Sequence, residues 1–193
     1  MLKFNKINPD ALEQLQVEAG VLLNSFNPST PTAPADEAII CATTGGIKAD
    51  CVPEMEDFGS DIDNVPENTK ELKRITGWSC TFAFTALNVT TEIIKTALGA
   101  ADVTGNKITP RAEIEANDFE DIWWVGDLTG GGMLAINLKN ALSTGGLSLQ
   151  TTKKGKGQLA VTLVGHISIQ NVETIPMEFY ISNGTSNGGG SST

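Results

Sequence analysis

Residues 71–99, ELKRITGWSCTFAFTALNVTTEIIKTALG, limit the possible folds most, because a strand period passes straight into a helix period. From Trp78 onward the repeat is two. Trp78, Cys80, Phe82, Phe84 and Ala86 share one face, and Ser79, Thr81, Ala83 and Thr85 share the other. One face is bulky and apolar and the other small and mostly hydroxylic, so the strand belongs to a sheet with a single buried side. The apolar parity changes between Ile75 and Trp78, and Gly77 at the break predicts a β-bulge. Asn88 or Thr90 then caps a helix over about 89–99, with Glu92 in its first turn, where the dipole favours an acid. Ile93, Ile94, Ala97 and Leu98 make its apolar stripe, and Gly99 suits the C′ stop. No other stretch after residue 20 reads convincingly as helix, so this one is expected to flank a mainly β body.

A chain of 193 residues can form one domain that buries roughly 70% of its unfolded surface without staples. Its 40% apolar and 19% charged content is that of an ordinary globular protein. The formal net charge of −10 argues against capture of nucleic acid by its phosphates, though not against letting nucleic acid pass without sticking. Cys41, Cys51 and Cys80 are an odd set without CxxC spacing, and read as buried free thiols in a reducing compartment rather than a disulfide. The N-terminus carries Asp10, Glu13 and Glu18 and no apolar core of signal-peptide length. No stretch approaches the roughly 20 apolar residues of a membrane span. A soluble protein made in the cytoplasm, without membrane insertion, is therefore expected.

Along the chain, residues 1–20 read as an arm with one or two helical turns or an extended segment, 21–181 as a single domain, and 182–193 as a flexible Gly/Ser tail or an artificial remnant. Val21, Leu22, Leu23 and Phe26 make a short strand ended by the proline-rich run 28–34. Residues 37–50 predict a hairpin turning at Gly45-Gly46. Residues 52–70 hold Glu54, Glu56, Asp57, Asp61, Asp63 and Glu67, two prolines and no periodicity, and predict a long acidic loop. Further strands are predicted at 107–115, 119–128 and 133–138, the last two joined through Gly130-Gly131-Gly132, with a turn at 139–142. Then Leu147, Leu149 and Thr151 alternate with Ser148, Gln150 and Thr152, and Leu159, Val161, Leu163, Ile167 and Ile169 with Gln158, Ala160, Thr162, His166 and Ser168. This predicts a long hairpin, turned at 153–157, with one apolar face and one small polar face. Met177–Ile181 reads as a last strand.

Catalytic and metal patterns are weak throughout. His166 is the only histidine, lies on a polar strand face, and reads as a hydrogen-bonded structural residue. Without a second histidine or a spaced cysteine pair, zinc is not expected. Asp57–Asn64 resembles a calcium loop only faintly, since its glycine is misplaced and no Glu stands at position 12. Gly130–Gly132 opens no helix, which removes the phosphate-cradle reading, and Ser143-Thr144-Gly145-Gly146 is a turn rather than a nucleophile elbow. Sequons at Asn88 and Asn183 lack a secretory context. Lys153, Lys154 and Lys156 suit a solvated hairpin tip or ion pairs with the acidic loop of a neighbouring copy. Trp123 and Trp124 point to opposite faces of their strand, so one ring is either an interface anchor or the cap of an edge. The expectation is a protein that is not an enzyme and binds no cofactor or metal.

The stretch 119–170, with WWVGD, the Gly-rich turn and NALSTGGLSLQTTKKGKGQLAVTLVGH, resembles the major tail proteins of long-tailed bacteriophages and prophages of Gram-positive bacteria. The earlier order agrees: VEAGVLL, TTGGIKA, the acidic loop, then strand and helix, so the resemblance runs from about residue 15 to 182. It implies an antiparallel β-sandwich or partial barrel flanked by one helix, stacked as hexameric rings into the hollow tail tube of a virion. Six sheets would close into an inner barrel and so remove exposed strand edges, with the long loop and arm reaching adjacent rings. It also implies assembly in the host cytoplasm, partners among the tape-measure, tail-terminator and tail-tip proteins, and non-specific passage of DNA. The polar parity of Ser148, Gln150, Thr152, Thr162 and Ser168 suits a wet lumen, with Ser79, Thr81 and Thr85 as competing candidates. Glu54, Glu56, Asp57, Asp61, Asp63, Trp123, Trp124, Lys153, Lys154 and Lys156 are the candidates for contacts between subunits or rings. Six copies would carry 6 × −10 = −60 formal charges, which repel DNA from a wall they face. The rival readings are the inner tube of a contractile tail or phage-derived injection particle, and an adhesive, carbohydrate-binding β-sandwich module.

Overall fold

The alternating stretch forms strand β3 (Lys73–Ala86), and its parity sets its facing. Cys80, Phe82, Phe84 and Ala86 are buried, while Ser79, Thr81, Ala83 and Thr85 keep solvent contact. The computed structural model describes residues 7–183, so the first six residues of the expected arm and the tail from 184 onward, with most of the Asn183 sequon, lie outside the described residues. The bulge near Gly77 is present: Glu54 pairs Gly77 and Met55 pairs Ile75, leaving Thr76 as the extra residue. Thr90, not Asn88, caps helix α1 (Thr91–Leu98), its hydroxyl accepting from Ile93 N at 3.2 Å. Gly99 ends the helix at φ 81°, where an added Cβ would meet the Ser143 carbonyl oxygen at 2.8 Å.

The remaining strands are β1 (Gln16–Leu23), β2 (Thr43–Asp57), β4 (Ala101–Thr104), β5 (Lys107–Pro110), β6 (Glu120–Leu128), β7 (Met133–Ser143), β8 (Ser148–Gln150), β9 (Gln158–Gly165) and β10 (Met177–Ser182). All pairings are antiparallel, and the architecture is mainly β with a sheet that does not close into a barrel. The main sheet has two halves, β1–β6–β7–β10 and β2–β3–β9–β8, joined where Ala141, Leu142 and Ser143 pair Gly165, Val164 and Leu163. Their inner faces share one core: Leu22, Ile122, Trp124, Ile136, Leu138 and Met177 from the first, and Phe82, Phe84, Leu159, Val161 and Leu163 from the second. Helix α1 adds Ile93 and Ala97, both fully buried. Each half thus supplies one apolar parity, as a partial sandwich requires.

Several elements differ from the sequence expectation. Strand β1 starts at Gln16, inside the expected arm, and a bulge between Val17 and Val21, with Glu18 at φ 60°, hid its period. The Gly45-Gly46 pair is a bulge and not a hairpin turn. Both glycines take positive φ (76° and 73°) inside β2, between the pairs Thr44–Thr85 and Ile47–Phe84. The acidic stretch is not one loop either: β2 stays paired to Asp57, and the loop spans 58–72. β5 stops at Pro110, which cannot extend the ladder, and pairs the unforeseen β4. Arg111 then gathers Asp102, Glu115 and Asp118 at 3.3, 2.8 and 2.5 Å, which folds 111–118 into a knot of charge instead of strand. The expected turn at 139–142 is continuous β7, where Asn140 at φ 46° takes up a bulge opposite β6. The last long hairpin is shorter than its pattern: β8 has 3 residues, β9 ends at Gly165, and Ile167 and Ile169 are 48% and 92% exposed in the following loop.

Candidate assembly surface

The outer face of the β2–β3–β9–β8 half is built from the polar parity. Register places Ser79, Thr81, Ala83 and Thr85 beside Thr162 and Ala160, then beside Gln158, Ser148 and Gln150 on β8, and on the other flank beside Val52, Asp50, Lys48 and Thr44. The lumen candidates of β3 and those of β8–β9 therefore do not compete; they form one surface. Thr152 and Ser168 lie off it, in the loops beyond β8 and β9. Thr162 is exposed while its neighbour Val161 is 2% exposed, so the two parities are cleanly separated. Where the core backs this face, its only charges among the described residues are Lys48 and Asp50, paired at 2.6 Å. The wall is thus neutral and hydroxylic, and the acids of the chain stand elsewhere.

Seven of the chain's 23 acids, Glu54 to Glu71, stand on a projection. The β3–β9 ladder ends at Thr81–Val164, and beyond it β2 and β3 pair only with each other. Lys73–Ser79 at about 3.3 Å per residue makes a ribbon of about 20 Å. Glu54 and Glu56 lie on the ribbon, and Asp61 and Asp63 are exposed in its loop. Asp57 differs. Its carboxylate accepts from Gly59 N (3.0 Å) and Asn68 N (3.1 Å) and pairs with Lys73 (3.1 Å). These bonds, the Gly59 amide foremost, hold its pKa below the usual carboxylate value. Asp57 therefore organises the loop and is not free for a neighbour. The ribbon also exposes Val52, Met55, Phe58, Ile62 and Ile75, each between 48% and 61%. An isolated two-stranded ribbon is marginal in water, and among the described residues nothing covers this apolar surface. The sequence reading missed it, because the acids and prolines around Val52 and Met55 masked their place in a strand.

The three lysines sit at the other end. β8 runs from Ser148 opposite Ala160 to Gln150 opposite Gln158, at the Ala86 end of β3, and the 151–157 loop follows there. The acidic ribbon tip lies at the Lys73 end. Between residues 54 and 74, Glu54, Glu56, Asp57, Asp61, Asp63, Glu67 and Glu71 outnumber Lys70, Lys73 and Arg74. Lys153, Lys154 and Lys156 are thus carried at the opposite end of the same sheet from a net negative tip.

Trp124 is 7% exposed in the core, its Nε1 donating to the Ala19 carbonyl at 3.0 Å. Trp123 faces the outer side of the first half and is half-buried between Phe26 (centroids 5.8 Å) and Tyr180 (5.6 Å). Both rings are therefore engaged within their own chain. His166 follows β9, with its Nδ1 3.2 Å from the Asn140 carbonyl and its ring edge-on to Phe119 at 5.2 Å, as a structural role requires.

Among the described residues, no three His, Cys, Asp or Glu side chains converge as a metal site would need, and no helix is long and apolar enough to cross a membrane. Comparison of the chain with protein-family models and with curated proteins returns no match.

Proposed function

We propose that this chain is a self-assembling tube subunit, stacking in hexameric rings to form the hollow tail of a bacteriophage through which DNA passes. The observation that carries the reading is the four-stranded half-sheet with a buried inner face and, among the described residues, a bare neutral outer face and two unpaired borders. β2 and β8, the border strands, run in opposite directions, because each step from β2 to β3 to β9 to β8 reverses the chain. β2 of one copy can then meet β8 of the next as an antiparallel pair, a head-to-tail contact of the kind that closes rings. Four strands from each of six copies make 24. At about 4.8 Å per strand the circumference is about 115 Å and the backbone diameter about 37 Å before strand tilt widens it. Side chains taking about 5 Å from each wall leave about 27 Å, room for a DNA duplex. A wall of hydroxyls and amides with one balanced ion pair offers phosphates nothing to bind, so DNA slides. Stacking follows from the ends: the negative tip of one ring faces the lysine loops of the next. The adhesive reading loses its one sequence support, since Trp123 and Trp124 offer no open aromatic platform.

Negative-stain microscopy of the concentrated protein tests this. Stacked rings or tubes with an open axis are the expected result; particles that stay single at every concentration would overturn the proposal.

A further inference from the structure

Cys51 and Cys80 face each other across the β2–β3 ladder, and their sulfur atoms are 3.4 Å apart. Facing residues of an antiparallel pair have Cα separations of about 4.5 or 5.5 Å, and both values lie within the span of a disulfide. The sulfurs need to close by about 1.4 Å to reach bonding distance, which a small rotation about each Cα–Cβ bond provides. The position is also particular. Thr81 is the last β3 residue that pairs β9, so Cys51–Cys80 is the first pair of the ribbon after it leaves the three-stranded sheet. Cys41 is buried elsewhere in the core, with its thiol pKa pushed up to about 11 by burial.

We propose that Cys51 and Cys80 form a two-electron oxidation site, in which a peroxide converts the facing thiols to a cross-strand disulfide that staples the projecting ribbon at its root. Cys51 is half-buried and Cys80 fully buried, so Cys51 meets the oxidant first. Its sulfur attacks one peroxide oxygen, the O–O bond breaks, and Cys51 becomes a sulfenic acid as water leaves. Cys80, held as a thiol by burial and by the neighbouring sulfur, which push its pKa up to about 12, then attacks the sulfenic sulfur. The S–O bond breaks, and the departing hydroxide takes the Cys80 proton and leaves as a second water. The two electrons come from the thiol pair and the peroxide is reduced. The inference does not depend on the tube reading.

The test is to treat the folded full-length chain with hydrogen peroxide, denature it in a thiol-alkylating reagent, and read its mass and its non-reduced peptide map. The expected product has lost two hydrogen atoms, links the Cys51 and Cys80 peptides within one chain, keeps Cys41 alkylated, and reverts on reduction. Cys51→Ser, a change at a half-exposed position, should leave Cys80 alkylated and abolish the mass loss. Three alkylated cysteines, oxygen adducts on Cys51 without a cross-link, or a link through Cys41 or between chains would each overturn the proposal. The wild-type peptide map decides the matter even if the variant fails to fold.

Discussion

In the β1–β6–β7–β10 half, the chain covers both sides of its central strand, β7. Ile136 and Leu138 face the core, while Ala135 and Asn137, on the opposite parity of β7, are 0% and 3% exposed. Leu23, Trp123 and Tyr180 share that outer side, and Phe26 folds back onto Trp123. The β2–β3–β9–β8 half has the same kind of inner face and, among the described residues, nothing on its outer one. Alternation tells the two apart. β9 alternates buried and exposed residues from Gln158 to Leu163, whereas β7, MLAINLKNALS, is buried on both parities and opens on the apolar run Met133–Ile136, as a strand covered on both sides does. One half buries most of both its faces within the chain, although Phe179 and Ile181 of β10 stay 55% and 71% exposed, and the other keeps one face open among the described residues.

The sharpest way to break this comparison is a charge at neighbouring positions of β9. Val161→Asp places an unpaired carboxylate among Phe84, Leu159 and Leu163. The cost of several kcal/mol approaches the whole stability of a domain, so no cooperative thermal transition is expected by circular dichroism. Thr162→Asp falls on the bare face and should change stability by no more than about 0.5 kcal/mol. Equal melting of the two variants would mean that the faces are assigned wrongly.

Trp123→Ser tests the other half. If the ring covers its own sheet, the isolated chain should lose about 2 kcal/mol, below the range for a fully buried Trp because the site is half-open. Denaturant titration of the monomer reads this. An unchanged monomer that no longer assembles would make Trp123 an intersubunit anchor and the outer cover of this half incomplete.

The two ends of the bare half come next. Reversing Lys153, Lys154 and Lys156 to Glu should leave the monomer's melting point within a few degrees, since the loop is exposed. The assembly threshold, read by light scattering, should rise at least about tenfold, the equivalent of about 1.4 kcal/mol per junction. High salt should shrink the difference between variant and wild type. A threshold that does not move would remove the lysines from stacking.

The strand-helix unit was legible because its signals are local: strict alternation from Trp78, a hydroxyl before the apolar stripe, a glycine after it. The mainly β architecture and the polar facing of Thr162 followed from the same alternation, while the sandwich arrangement was implied only by the family resemblance. Of the bulges only the one at Gly77 was legible, because a single extra residue there inverts the apolar parity. Between Thr44 and Ile47 two extra residues leave the parity unchanged, so Gly45-Gly46 passed for a turn, and the single extra residue near Asn140 made β7 seem to end before it. The extension of the ribbon was hidden as well, because Val52, Met55 and Ile75 face no core that would impose a period. Partners distant in sequence stayed out of reach, among them the facing of Cys51 and Cys80 and the placing of the lysines at the far end of the sheet from the acids.

The smallest expected effect separates the ribbon from the sheet that carries it. Asp57 binds the Gly59 and Asn68 amides and Lys73 only as a carboxylate, and its folded pKa is depressed. A depressed carboxyl stabilises the folded loop at pH above the unfolded value, about 3.9, and that contribution fades as pH falls through the lower folded value. The Gly59 and Asn68 amide resonances should therefore titrate with a midpoint below about 3.9, and the 58–72 loop should loosen over that window. Amides of the β3–β9 ladder, on a face of hydroxyls and methyls, should show no such step. Asp57→Asn keeps an oxygen for one amide but loses the Lys73 pair, so it should abolish the titration and leave the global melting point nearly unchanged. A midpoint at or above the ordinary value would show that the carboxylate does not hold the loop. A step appearing at the same pH in β3 and β9 would show that ribbon and sheet unfold as one unit, and the division between a settled sheet and a separately organised tip would have to be given up.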